Sequence, residues 1–211
     1  NTRTLFSALS NVSYVERDDT GWDIGGFIHC ARLVKTDIIL CFGGPAYVQR
    51  RGWMTSMMDA WQLHGPGFYG SLSSYEISPH LPTCGFWCIP EVLSNYPIRV
   101  ETQYERYDFE HGKNAMWRIF FASGYPVRLV TWDGEWDWRD WRKPDHIFRR
   151  GNQSNCLTYY KHSDEWPGYS QHDKNRVGAL TDTFTDLGTM MALEEMRAKA
   201  LKTVEPEEVL A

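Results

Sequence analysis

Residues 132–141, Trp-Asp-Gly-Glu-Trp-Asp-Trp-Arg-Asp-Trp, alternate indole rings with carboxylates. An indole face stacks on the flat apolar side of a sugar ring, and carboxylates accept hydrogen bonds from its hydroxyls. Trp132, Asp133 and Trp136 are thus candidates for holding a carbohydrate, and the same oxygens suit a divalent cation. A second polar cluster, Glu16-Arg17-Asp18-Asp19-Thr20-Gly21-Trp22-Asp23, precedes an apolar run, where Asp23 suits a helix N-cap. Glu110 and Asp108 stand at the expected mouth of a later helix. A carboxylate there either serves as a general base or complements the helix dipole. Gly43 and Gly44, followed by Pro45, let the backbone approach a ligand closely or simply turn the chain. The cations outside the apolar runs include Arg50, Arg51, Arg149, Arg150 and Lys161. His80, His111, His162 and His172 are the imidazoles outside such runs, and a lone His is more often structural than a ligand.

Those residues sit in a chain of 211 residues, long enough for one buried core. Ten Trp and an aromatic fraction of 15% are high, and aromatics at that density either fill a core, the commoner fate of any one Trp, or line a recognition cleft. The net charge of −5, with no basic stripe, argues against nucleic acid as the main partner. No run of about 18 apolar residues is present, so no transmembrane helix is expected. Five Cys, three of them within apolar runs, read as reduced thiols in a cytoplasmic compartment. Cys84 and Cys88 lack the second pair that a zinc site needs. The chain begins at Asn1 and ends on a charged helical segment, which suggests a piece of a larger, multidomain protein.

The elements that must position these residues follow from periodicity. Thr4–Leu9 reads as a helix end, Val12–Val15 as a strand, Ile24–Val34 as a helix and Asp37–Phe42 as a strand, together a βαβ unit. Gly52–Leu63 reads as a helix, Phe68–Leu72 and Phe86–Ile89 as strands, and Pro90 as the start of a brief helix. Phe109–Ser123 reads as one strong helix stopped by Gly124, and Val127–Val130 as a strand. Residues 132–169 read as irregular, and the tail from Arg176 as helical, with Met190, Met191, Leu193 and Met196 at helical spacing.

Three stretches resemble the sugar-nucleotide-dependent glycosyltransferases of the GT-A fold. ERDDTGWDIGGF (16–27) resembles the turn that enters the family's second helix beside the nucleotide. GPGFYGSLSSYEISPHLPTCGFWCI (65–89) is similar to a block that builds the acceptor side. FEHGKNAMWRIFFASGY (109–125) is similar to a helix opened by an acidic residue and closed by a Gly-Tyr turn. The resemblance covers roughly residues 10–130, and the order of the motifs carries it more than any single one.

The resemblance implies an α/β domain over 1–170 with a largely parallel, Rossmann-like sheet flanked by helices. A helical segment over 171–211 would pack on it or link it to a further domain. It implies a nucleotide-diphosphate sugar as donor and a glycan or other hydroxyl acceptor. Glu110 then becomes the base of an inverting transfer, with Asp108 in reserve. Asp19, Trp22, Asp23, Gly43 and Gly44 fall on the nucleotide side, and His80 joins Trp132, Asp133 and Trp136 on the acceptor side. The chain departs from the family where a metal-binding Asp-x-Asp belongs, because residues 41–46 read Cys-Phe-Gly-Gly-Pro-Ala. Dependence on Mn or Mg is therefore open, and Arg149, Arg150, Lys161, Arg50 or Arg51 would have to meet the departing diphosphate. The polar turn over 148–154 would close as a lid. A carbohydrate-binding module without chemistry is the alternative. A methyltransferase fits less well, since Asp23-Ile24-Gly25-Gly26 opens a helix rather than ending a strand.

Overall fold

Successive side chains of a strand point to opposite faces, so a sheet buried on both sides needs two apolar sets in alternation. This chain supplies them. The computed structural model describes residues 9–203 apart from positions 49, 144, 152, 182 and 184–186, with backbone only at 187–190, 193 and 203. Its strands are β1 (Ile39–Phe42), β2 (Tyr47–Val48), β3 (Phe68–Gly70), β4 (Gly85–Cys88), β5 (Val127–Thr131), β6 (Gly134–Trp136) and β7 (Thr158–Tyr159). Phe68, Phe86, Cys88, Val127 and Leu129 enter one apolar cluster, while Tyr69, Trp87 and Val130 enter the other.

Helices close both faces. α1 (Trp22–Leu33), α3 (Pro90–Ser94), α4 (Gln103–His111) and α5 (Met116–Ala122) cover the larger cluster, while α2 (Trp53–His64) covers the smaller. The remaining helices, α6 (Lys161–Glu165), α7 (Gln171–Leu180) and α8 (Leu187–Thr203), follow β7. α8 lies against α5, and Glu194 accepts a hydrogen bond from Trp138 Nε1 at 2.8 Å. The described part of α8 thus packs on α5 and on Trp138. No helix among the described residues is long and apolar enough to cross a membrane.

The protein is mixed α/β, but the sheet is not largely parallel. Its order is β1-β4-β3-β5-β6, and of its four pairings only β3 with β5 is parallel. The βαβ reading fails at its first strand, because residues 12–15 form none and Ser13, Tyr14 and Val15 are exposed. Two valines in a polar stretch bury too little apolar surface to hold a sheet edge. The helix end expected at Thr4–Leu9 falls, Leu9 aside, outside the described residues. The side chains of Met190 and Leu193 also lie outside the description.

Residues 109–123 make two helices, not one. The break falls at Gly112–Ala115, where Asp108 folds back over the turn and accepts from Asn114 N at 3.3 Å and from Asn114 Nδ2 at 2.6 Å. A Cβ on Gly112 would lie 2.0 Å from Asp108 Oδ1 and 2.6 Å from Asp108 Cα, so only glycine fits under this carboxylate. Gly112→Ala is expected to destabilise the protein by about 1–3 kcal/mol, the usual cost of overpacking. That corresponds to a fall in Tm of roughly 3–10 °C in thermal unfolding, and an unchanged Tm would mean that this contact does not set the break.

Candidate functional site

A cleft of about 270 Å³ opens where α1, the β1–β2 loop, the start of β4, α4 and α6 meet. Asp23, Gly43, Thr83, Cys84, Arg106 and Glu110 form most of its wall, with Tyr160 and His162 on the far side. Glu110 and Arg106 stand four residues apart on α4, so helical periodicity puts both on one face. Phe109 between them turns into the core, where its ring meets those of Phe86 and Tyr96.

Glu110 is held at one oxygen. Its Oε1 accepts from the backbone N–H of Thr83 at 2.8 Å and from the Thr83 hydroxyl at 3.1 Å. Oε2 takes no hydrogen bond among the described residues. The sequence expectation put Glu110 at a helix mouth, yet it lies in the last turn of α4. A carboxylate there meets the negative end of the dipole, at a cost of about 0.3–1 kcal/mol. The Thr83 donors offset that cost, so Glu110 does not serve as a helix cap.

Asp23 is likewise not the N-cap of α1; Gly21 is, at φ 75°. A Cβ on Gly21 would stand 2.3 Å from the Val100 carbonyl oxygen, so a side-chain cap has no room. Asp23 Oδ1 instead pairs with Arg106 Nε at 3.4 Å, which fixes the guanidinium at the cleft wall. A Cβ on Gly43 would lie 3.7 Å from Asp23 Oδ2 and 3.8 Å from Cys84 Cα, so any larger residue would project into the cleft. His162 Nδ1 donates to Glu165 at 2.9 Å, which orients its ring.

Burial shapes the other titratable groups around Glu110. The Cys84 thiol is pushed up to about 12, first by burial and then by the nearby Glu110 carboxylate. Burial also raises the Tyr160 phenol. His80 is pushed down to about 4 by burial, with Glu110 opposing. Its Nδ1–H donates to the Ser78 carbonyl at 2.8 Å, and its ring lies 5.1 Å from that of His111.

Asp23, Gly43, Glu110 and His162 are the sequence candidates that meet in this cleft. Trp22 and Gly44 are exposed and lie outside it, and the Asp19 carbonyl accepts from Trp22 N at 3.1 Å. Asp108 lines a different groove and is occupied by Asn114. Arg149 and Arg150 line a second cleft of about 680 Å³ with Trp166 and Lys174. The turn expected as a lid is packed: Gln153 is buried, and Trp166 Nε1 donates to Gly151 O at 2.9 Å. The acceptor candidates do not form one stacking face. Trp132 packs on the smaller apolar cluster and Trp136 on the larger, Asp133 is exposed, and His80 is buried.

Sequence reasoning missed Arg106, Thr83, Cys84 and Tyr160. Arg106 was accessible through its four-residue spacing to Glu110, had the helix been started early enough. Among the described residues no three His, Cys, Asp or Glu side chains are grouped as a metal site requires. No protein-family model, curated protein or solved structure matches the chain.

The cleft yields two tests. His80 is neutral when folded and reverts to about 6.5 when unfolded, so its contribution is complete above pH 6.5 and is lost as pH falls toward 4. Tm is expected to drop over that window, and the drop should be shallower in His80→Asn, whose amide can still donate to Ser78. Equal slopes would show that His80 is not the group being protonated. With its thiol near 12, Cys84 holds only about one thiolate in ten thousand at pH 8. Iodoacetamide at pH 8 should leave it unmodified in folded protein and alkylate it in urea. Rapid labelling in the folded state would contradict its reading as an inert wall residue.

Proposed function

We propose that the protein is a glycosyltransferase, moving a sugar from a nucleotide-diphosphate sugar to a hydroxyl acceptor with inversion. The observation that carries the reading is the Glu110 carboxylate, anchored at Oε1 by Thr83 and without a hydrogen bond at Oε2, on a cleft wall shared with Asp23, Arg106 and Gly43. Asp23, Thr83 and Glu110 come one from each of the three stretches that resemble the GT-A transferases, and Gly43 from the loop after β1, where the family keeps its metal motif; Arg106 lies outside those stretches.

In this reading Glu110 takes the proton from the acceptor hydroxyl as that oxygen attacks the anomeric carbon. The bond from that carbon to the phosphate oxygen breaks, and the nucleoside diphosphate leaves with the electron pair. Arg106, held by Asp23, faces the charge that develops on the departing phosphate. Gly43 leaves space for the donor beside it. The volume of 270 Å³ sits at the small end of ligand clefts, which run to about 1,000 Å³. It suits a sugar ring with the nucleoside lying outside.

The test is turnover of UDP-, GDP- and dTDP-sugars by the wild type and by Glu110→Gln, with and without Mn²⁺. The expected result is a loss of about 10²–10⁴-fold in rate, the usual worth of a general base, with nucleotide-sugar binding retained in thermal shift. A fully active Glu110→Gln would remove the base assignment. A protein that binds no sugar nucleotide would leave the carbohydrate-binding reading in its place.

A further inference from the structure

α4 carries a second face that the cleft does not use. Tyr104, Tyr107, Asp108 and His111 follow the i, i+3, i+4, i+7 spacing of one helix side, next to the side that presents Arg106 and Glu110. With Glu76 and Ile77 they line a groove of about 500 Å³. Tyr104 is 74% and Tyr107 49% exposed, so the two rings stand side by side at the surface of one helix face. Ile77 is 64% exposed and held at φ 65°. A β-branched residue in that region is strained, and such strain gathers at ligand sites.

A second observation comes from the groove floor. His111 is 8% exposed, and neither ring nitrogen makes a hydrogen bond among the described residues. Leaving buried polar atoms unpaired is unfavourable, and a ligand that pairs them recovers that loss. The ring lies 5.2 Å from that of Tyr107, whose exposed side chain can swing aside. Burial lowers the basicity of His111. A neutral imidazole offers one donor and one acceptor, and a sugar hydroxyl is both.

We propose that this groove is the acceptor subsite and that it binds a neutral oligosaccharide, with sugar rings on Tyr104 and Tyr107 and a hydroxyl on His111. The inference rests on the transferase reading for the word acceptor, while saccharide binding stands without it. Glu76 in the groove wall accepts from hydroxyls, and Lys113, which also lines the groove, offsets its charge, which suits a neutral ligand. Tyr107 precedes Glu110 by three residues, so the groove and the proposed base are carried by the same short helix. None of the residues first expected on the acceptor side lines the Glu110 cleft.

The experiment titrates the full chain with maltohexaose, cellohexaose and chitohexaose, followed by saturation-transfer NMR. Nucleotide-sugar binding is measured in parallel by thermal shift. At least one hexasaccharide is expected to bind, and Tyr104→Ala and Tyr107→Ala should each weaken it tenfold or more with the nucleotide-sugar shift unchanged. His111→Phe keeps the packing without the nitrogens, so it should hold or raise Tm and yet weaken the saccharide about fivefold. A purely structural His111 would leave binding unmoved. Hexasaccharide binding that is indifferent to both tyrosines, or absent throughout, overturns the groove and leaves the transferase reading standing. Loss of saccharide binding in the tyrosine variants of a protein that binds no sugar nucleotide supports the groove and sinks the transferase.

Discussion

The register of β3 against β4 is the constraint on which the rest of the molecule depends. It sets Tyr69 opposite Trp87, with rings stacked at 5.4 Å on one face, while Phe68 and Phe86 stack at 5.2 Å on the other. A slip of one residue would send every ring to the wrong side. Phe86 also touches Phe27 of α1 and Phe109 of α4, so one strand residue locates both helices that wall the cleft. Burying each such ring is worth about 1.5–3 kcal/mol, enough to make their positions costly to change.

The cleft inherits its geometry from that packing. Phe109 fixes the rotation of α4, and its neighbour Glu110 must then face the start of β4. There the Thr83 N–H and hydroxyl meet it. The same rotation points Arg106 at Asp23 on α1 and leaves Tyr104, Tyr107 and His111 for the adjoining groove. A helix of nine residues therefore serves the core, a charged cleft and an aromatic groove at once. Two carboxylates and one guanidinium share the cleft wall with Cys84 and Tyr160, whose thiol and phenol are pushed up by burial.

Much of the local structure was legible in the sequence. The apolar runs of β1, β3, β4 and β5 and the helices α1 and α2 were found to within a few residues, because each pairs a clear period with Gly or Pro at its end. Glu110, Asp23 and Gly43, singled out from the sequence, meet in one cleft. The break between α4 and α5 was not legible, since it depends on Asp108 bending back over Gly112. Nor was strand direction: hydrophobic alternation is the same for parallel and antiparallel partners, and β5 reaches β3 only after β4 and three helices intervene.

By itself, then, the sequence determined the longer apolar segments that become β1, β3, β4, β5, α1 and α2, and which side chains are apolar enough to enter a core, but not the short elements between 132 and 169. These are properties of neighbours along the chain. The tertiary structure alone decided who meets whom. It parted Trp132 from Trp136 by placing them on opposite faces, carried Arg149 and Arg150 to a separate cleft, and brought Thr83 to Glu110 across 27 residues. The physical reason is that a site is made of contacts distant in sequence. Those contacts follow from how aromatic surfaces on several elements pack together, which no local pattern encodes.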